Sequence, residues 1–305
     1  MGKSRSPKLI AIVGPTASGK TAWALELARE FNAEIISADS RQIYRELTIG
    51  TSKPRGAWQG DTYTVSGIPY HLVDCVDLNE EFTLAQYQQR AWVAIDETIR
   101  RGKAPFLVGG TGLYIYAVVD NLVIPAVEPN QQLRARLAGK PTDELAKILR
   151  DLDPVSADAV DPANPRRLIR AIEVALGANR SFAALKARGS ARYETLQIGI
   201  TKPKEELCET IERRVDEMIE EGFVNEVESL LEKYRRTLPA LSGIGYTEII
   251  QHLDGAITLE KAIRLIKTHT RQYARRQMTW FRRDKRIRWV QHFDEARALV
   301  ADFLG

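Results

Sequence analysis

Residues 9–28, LIAIVGPTASGKTAWALELA, contain the spacing with the clearest chemical meaning in this chain. Gly14, Pro15, Thr16, Ala17, Ser18, Gly19, Lys20 and Thr21 satisfy G-x-x-x-x-G-K-[ST] at every fixed position. An apolar run precedes them and an amphipathic segment follows, which is the strand–loop–helix setting such a loop needs. Glycines allow backbone N–H groups to converge, and a helix N-terminus adds partial positive charge, so the loop predicts a cradle for a diphosphate or triphosphate. Lys20 is placed to neutralise the outer phosphate, and the Thr21 hydroxyl to complete a magnesium shell. The motif specifies what is held and leaves the reaction open.

Three further groups carry chemical potential. Asp39 follows a second apolar run, at 35–38. It reads either as a turn or helix-capping carboxylate, or as a general base or metal ligand beside the phosphates. Ser40, Arg41 and Gln42 extend it into a polar cluster, in which glutamine suits adenine and arginine suits phosphate or guanine. Gly109, Gly110, Thr111 and Gly112 close another apolar run with flexible backbone and one hydroxyl, or simply with a strand-to-helix turn. Finally, residues 264–288 contain a single acid, Asp284, while Lys267, Arg271 and Arg275 fall at i, i+4 and i+8. Tyr273, Trp280 and Phe281 interleave with them. A solvated helix face mixes both signs, so this stripe points to a nucleic acid or polyphosphate.

Elements must bring these residues together. Apolar runs at 9–13, 35–38, 70–76 (YHLVDCV) and 105–109 alternate with helical stretches, among them 84–101 with Gly102 as its C-cap. This alternation predicts an α/β fold: a P-loop NTPase-like parallel sheet covered by helices. Ligands gather at the carboxyl ends of strands in such sheets, so the phosphate loop, Asp39 and the turn at 109–112 belong on one edge. From 121 to 191 the patterns are helical, broken by Pro and Gly, which predicts a helical insertion. Strand-like runs return at 193–201 (YETLQIGIT) and, shorter, at 286–290 (RIRWV). The expected division is therefore 1–120 with 192–305 for the catalytic core, and 121–191 for the insertion.

Composition narrows the class. The 305 residues are 44% hydrophobic and 28% charged, with a net charge of +4, as in an ordinary globular protein. No apolar run approaches the roughly 20 residues that cross a bilayer, and the basic start MGKSRSPK lacks the apolar segment of a secretory signal. Cys75, Cys208 and four scattered histidines make neither a disulfide framework nor a metal cluster. A reducing, cytoplasmic setting without a membrane is the expectation.

With these residues in view, the chain resembles the tRNA dimethylallyltransferases, or tRNA isopentenyltransferases, of bacterial type. The resemblance runs from residue 10 to the neighbourhood of Asp284 through GPTASGKT, SADSRQIY, IGTSKP, PFLVGGTGLYI, NPRRLIRAIEV, GFVNEVESLL, LSGIGYTEI and TRQYARRQMTWFRRD. It implies transfer of a dimethylallyl group from dimethylallyl diphosphate to the exocyclic N6 of the adenosine 3′ of the anticodon. The phosphate loop would then hold the isoprenoid diphosphate with Mg2+. By the same resemblance Asp39 is the base, Thr111 lies near the flipped adenine, and Arg214 contacts the diphosphate, with Arg213 as its alternative.

The tRNA contacts the resemblance implies are Asp39, Ser40, Arg41 and Gln42; Arg134; Arg166, Arg167, Leu168, Ile169 and Arg170; and Ser242, Gly243, Ile244, Gly245, Tyr246 and Thr247. The insertion would grip the anticodon stem-loop, and a monomer is expected. Three readings compete with this one: an adenylate isopentenyltransferase acting on free AMP or ATP, a small-molecule kinase whose loop binds ATP, and a non-catalytic RNA-binding protein.

Overall fold

The computed structural model describes residues 6–125, 127–178 and 189–305. The basic start at 1–5 and the helical reading of 184–188 lie outside them. The chain forms two compact units, Met1–Val119 with Arg192–Gly305, and Asp120–Ala191.

The first unit runs β1 (Lys8–Val13), α1 (Lys20–Glu30), β2 (Ala33–Ser37), β3 (Ala57–Gln59), β4 (Thr62–Val65), β5 (Ile68–His71), α2 (Leu84–Arg100), β6 (Ala104–Gly109) and α3 (Gly112–Val119). The second contains α4 (Gln131–Leu137), α5 (Thr142–Leu152), α6 (Pro154–Ala159) and α7 (Pro165–Ala178). The first resumes with β7 (Glu194–Ile200), α8 (Lys204–Glu220), α9 (Phe223–Lys233), α10 (Tyr246–Leu253), α11 (Leu259–Phe281), β8 (Arg288–Val290) and α12 (Phe293–Leu304).

The eight strands form one sheet in the order β3-β4-β5-β2-β6-β1-β7-β8. From β5 to β8 every pairing is parallel. β2 is buried along its whole length and β1 beyond Lys8, because helices cover both faces. That is why these strands read as continuous apolar runs rather than as alternations. One face packs Ala91 and Ile95 of α2, Ile115 and Val118 of α3, and Phe281 of α11. The other packs Leu27 and Ala28 of α1 with Ala296 and Val300 of α12. Thr83 caps α2 reciprocally with Gln86, and Gly102 just past its end takes a left-handed φ of 72°.

The expected strand at 70–76 is corrected. Continuous pairing ends at His71, Leu72 and Asp74 turn the chain with φ of 58° and 53°, and Val76 forms only an isolated parallel bridge to Tyr44. Lys53 holds this turn through an ion pair to Asp74 at 2.6 Å, so Val73 and Val76 reach the core from a loop. The antiparallel edge β3-β4-β5 was not legible, because its strands have three or four residues and β3 is wholly exposed.

The second unit has its own core of Leu137, Leu145, Leu149, Leu168, Ala171 and Ile172, and its described residues include no strand. Among the described residues no helix is long and apolar enough to cross a membrane.

Candidate active site

The phosphate loop joins β1 to α1, and its backbone is bent sharply: Ala17 and Gly19 take φ of 62° and 89°. A left-handed alanine is an uncommon conformation that surrounding contacts must hold. Inside the loop Lys20 Nζ donates to the Pro15 carbonyl at 3.1 Å. Desolvation pushes the Lys20 ammonium down to about 8; Asp39 opposes this shift and Arg214 adds to it. Three charges from three parts of the chain therefore act on one another here.

Asp39 arrives there because β2 and β6 end almost in contact. A Cβ on Gly109 would collide with the Ala38 carbonyl, so this glycine serves close approach rather than flexibility. The Thr111 amide donates to the Ala38 carbonyl at 3.2 Å, and the Ser40 amide donates to Thr111 Oγ1 at 3.1 Å. Asp39 Oδ1 accepts the Arg41 and Gln42 amides at 2.8 and 3.2 Å. Among the described residues Oδ2 takes no hydrogen bond. The carboxylate is thus clamped by one oxygen and open at the other. Tyr273 of α11 lies beside Thr111, its hydroxyl raised to about 12 chiefly by burial.

Arg214 enters from α8. Its Nε donates to Ser52 Oγ at 2.5 Å and its Nη1 to Thr16 Oγ1 at 3.4 Å. Burial lowers its pKa, against the pull of Asp39 and Glu217. Arg213 is exposed and reaches Glu217 at 3.6 Å. Ser52, Arg213, Arg214, Lys20 and Thr21 all line the cleft.

Several residues expected to face RNA have other partners. The Arg41 guanidinium donates to the Pro239 and Ala240 carbonyls, at 2.8 and 3.0 Å, and to Ser242 Oγ at 3.2 Å. Gln42 Nε2 donates to the Thr51 and Ser52 carbonyls, at 3.1 and 3.2 Å. Both side chains splice loops together, so neither offers a free fork to a base. Tyr246 and Leu168 are core residues, each 1% exposed. Gly243 and Gly245 are also buried, Ile244 is half-buried, and Ser242 and Thr247 are exposed.

The stripe on α11 likewise has partners within the protein. Lys267 pairs with Asp216 at 2.7 Å and Arg271 with Glu212, both acids being on α8, and only Arg275 of the three is exposed. In the second unit the buried Glu173 carboxylate binds Arg134 at 3.0 Å and also Arg170. Ile169 is half-buried there, while Arg166 and Arg167 are exposed.

Glu226 is a structural residue that local pattern did not reveal. Its carboxylate accepts the amides of Thr48, Ile49 and Gly50 at 3.2, 2.7 and 3.2 Å, and the Tyr246 hydroxyl at 2.7 Å. It thereby freezes the loop that carries Ser52 to Arg214. Gln277 is another, and it did leave a trace: it is a polar residue on the buried face of α11, between Ala274 and Phe281.

Fold and cleft together define a P-loop-like α/β protein in which the Lys20 loop lies near a half-free carboxylate. A family model described as IPP transferase matches residues 42–284, and one described as isopentenyl transferase matches residues 7–62. The chain belongs to the IPP transferase family. It is 45% identical to a tRNA dimethylallyltransferase of Synechocystis, covering 94% of this chain and 91% of that one. It is 42% identical to a tRNA dimethylallyltransferase of Geobacter metallireducens, covering 100% and 99%.

Solved structures agree with the sequence relatives. The tRNA isopentenylpyrophosphate transferase of Bacillus halodurans superposes with a TM-score of 0.70 at 37% identity, covering 97% of this chain and 95% of that one. A eukaryotic dimethylallyltransferase acting on tRNA gives 0.75 at 30% identity, covering 90% and 70%.

Proposed function

We propose that this chain transfers a dimethylallyl group from dimethylallyl diphosphate to the exocyclic N6 of the adenosine 3′ of a tRNA anticodon. The products are N6-isopentenyladenosine and diphosphate. The observation that carries the reading is the half-free carboxylate of Asp39 beside the cradle made by Lys20, Arg214 and the loop. A nucleotide kinase needs the cradle. An amine acceptor also needs a base, and the relatives named above carry that activity in their names.

The chemistry follows from the geometry. The lone pair of an exocyclic adenine amine is delocalised into the ring, so it attacks well only as its proton leaves. Asp39 Oδ2 accepts that proton while the N6–C1 bond forms and the C1–O bond to diphosphate breaks. The bonding pair departs with the diphosphate, and Lys20, Arg214 and the loop N–H groups stabilise the growing charge. Thr111, tied to Ser40, lies on the acceptor side. An anticodon-loop base is already single-stranded, so extruding it costs little.

Magnesium fits this site. The Thr21 hydroxyl lines the cleft without a protein partner among the described residues, and Ser18 Oγ is buried in the loop without one. Thr21 would hold the ion with diphosphate oxygens and water, and the ion would neutralise the leaving group.

A bound diphosphate restores the proton that desolvation makes labile on Lys20. The folded-state pKa of about 8 rises on binding, so binding takes up a proton above that pH. Donor affinity is expected to fall as pH rises through 8. Calorimetric titration with dimethylallyl diphosphate from about pH 7 to about pH 9.5, in buffers of different ionisation heat, measures both the fall and the uptake. A flat profile would remove Lys20 from the donor site.

Arg166 and Arg167 support an RNA acceptor. They stand exposed in the first turn of α7, where the helix dipole disfavours cations, and an anion offsets that cost. A monomer acting in the cytoplasm is the reading we favour, and a tRNA acceptor supports that compartment.

The direct test is labelled dimethylallyl diphosphate with unmodified tRNA or free AMP, followed by nuclease digestion and mass spectrometry. Label on the adenosine beside the anticodon is expected. Replacing Arg166, Arg167 or Arg275 by Ala should weaken tRNA affinity and make the salt slope of log K shallower by roughly 0.7–0.9 per lost phosphate contact. Unchanged slopes with efficient transfer to AMP would leave an adenylate isopentenyltransferase as the better reading.

A further inference from the structure

Gln277 sits in α11 at 6% exposure, between the two halves of the cleft. Its Oε1 accepts the Thr16 amide of the phosphate loop at 2.8 Å. Its Nε2 donates to the Gly110 carbonyl, beside Thr111, also at 2.8 Å. Only one orientation of the amide satisfies both partners, since one is a donor and the other an acceptor. The fit is close: a Cβ on Gly110 would collide with Nε2.

Each end of this bridge leads to a different substrate. On the donor side, Thr16 precedes left-handed Ala17, and its hydroxyl takes a hydrogen bond from Arg214. A Thr16 amide engaged by Gln277 is a strut of the loop rather than one of its anion ligands. On the acceptor side, Gly110 leads into Thr111, whose hydroxyl receives the Ser40 amide next to Asp39. Tyr273, one helical turn before Gln277, lies near Thr111 as well. The same helix carries the exposed Arg275 and Arg276 on its outer side. The hydrogen bonds of Gln277 go to Thr16 and Gly110, and neither goes to Lys20 or Asp39.

We propose that Gln277 is a positioning residue that sets the registration of the diphosphate loop against the acceptor turn at 109–112, and so the distance between C1 of the donor and N6 of the acceptor. The proposal rests on the transfer reaction given above. Each half-site can bind its own substrate without the bridge, because the loop N–H groups, Lys20 and Arg214 hold the donor, and exposed arginines hold the RNA. The bridge governs how the two bound substrates meet. A misplacement of about 1 Å costs on the order of 100-fold in rate even when binding is intact.

Gln277→Met keeps the length and volume of the side chain and deletes both hydrogen bonds. Single-turnover transfer at saturating tRNA and dimethylallyl diphosphate should fall about 10- to 100-fold. The separate affinities for dimethylallyl diphosphate and for tRNA should each stay within about 3-fold, a split that a general loss of folding does not produce. Gly110→Ala attacks the same contact from the other side and should reproduce the phenotype; it decides the matter if Gln277→Met does not fold.

Either folded variant at a near wild-type rate would overturn the proposal, and so would a rate loss that merely follows weakened binding of one substrate. A wild-type protein that transfers nothing to tRNA would overturn the functional reading itself. A transferring wild type with an unimpaired variant would overturn only the role of Gln277.

Discussion

Asp39→Asn is expected to slow the chemical step by about 10²–10⁴, the range for loss of a general base. The substitution is nearly silent structurally. The amide oxygen still accepts the Arg41 and Gln42 amides that now hold Oδ1, so the turn after β2 persists. What changes is the open end, where an NH2 group replaces an oxygen able to take the N6 proton. Asp39 also opposes the positive field of Lys20 and Arg214. Its neutralisation should therefore leave donor binding unchanged or tighter while turnover collapses. Single-turnover rates with both substrates saturating, beside donor titrations, separate the two effects. A rate close to wild type would remove Asp39 from the proton transfer.

The second large effect is expected at Arg214. Its guanidinium sits in the cleft, desolvated and braced by Ser52 and Thr16, where a charge-assisted bond to a leaving diphosphate is strongest. Arg214→Ala should lower the transfer rate by about 10²–10³ and weaken dimethylallyl diphosphate binding about 10-fold or more. Arg214→Lys should recover only part of this, because an ammonium lacks the fork that spans Ser52 and Thr16. Arg213→Ala serves as the control. Its side chain also lines the cleft, but it is exposed and paired only loosely with Glu217, so effects within about 3-fold are expected. If Arg213→Ala proves the damaging variant, the diphosphate contact belongs to that residue and the cleft has been assigned wrongly.

The difference between these neighbours was invisible before the fold was known. IERRVDEM offers two adjacent arginines on a helix, and helical periodicity puts them about 100° apart without saying which side faces the loop. Burial of Ile211 and Val215 orients α8 and turns Arg214 inward. The basic stripe shows the opposite limit. Three cations at i, i+4 and i+8 do share one face, but that face meets Asp216 and Glu212 on α8, so the charges of two are neutralised within the protein. A one-helix pattern cannot see a second helix.

The amino-acid sequence by itself determined the elements with strong local signatures. The glycine-lysine loop, the fully buried parallel strands and the capped helix 84–100 are encoded in consecutive residues, because backbone conformation, strand burial and capping depend on near neighbours. So was the family, since the motifs recur in order along the chain. Tertiary structure alone decided the partnerships: Gly109 against Ala38, Glu226 on the amides of 48–50, Arg41 on the 239–242 turn, and Gln277 between Thr16 and Gly110. These contacts join residues up to 261 positions apart. A polar side chain finds its partner only after burial has excluded water as the alternative, so no pattern of neighbouring residues announces which atom it will meet.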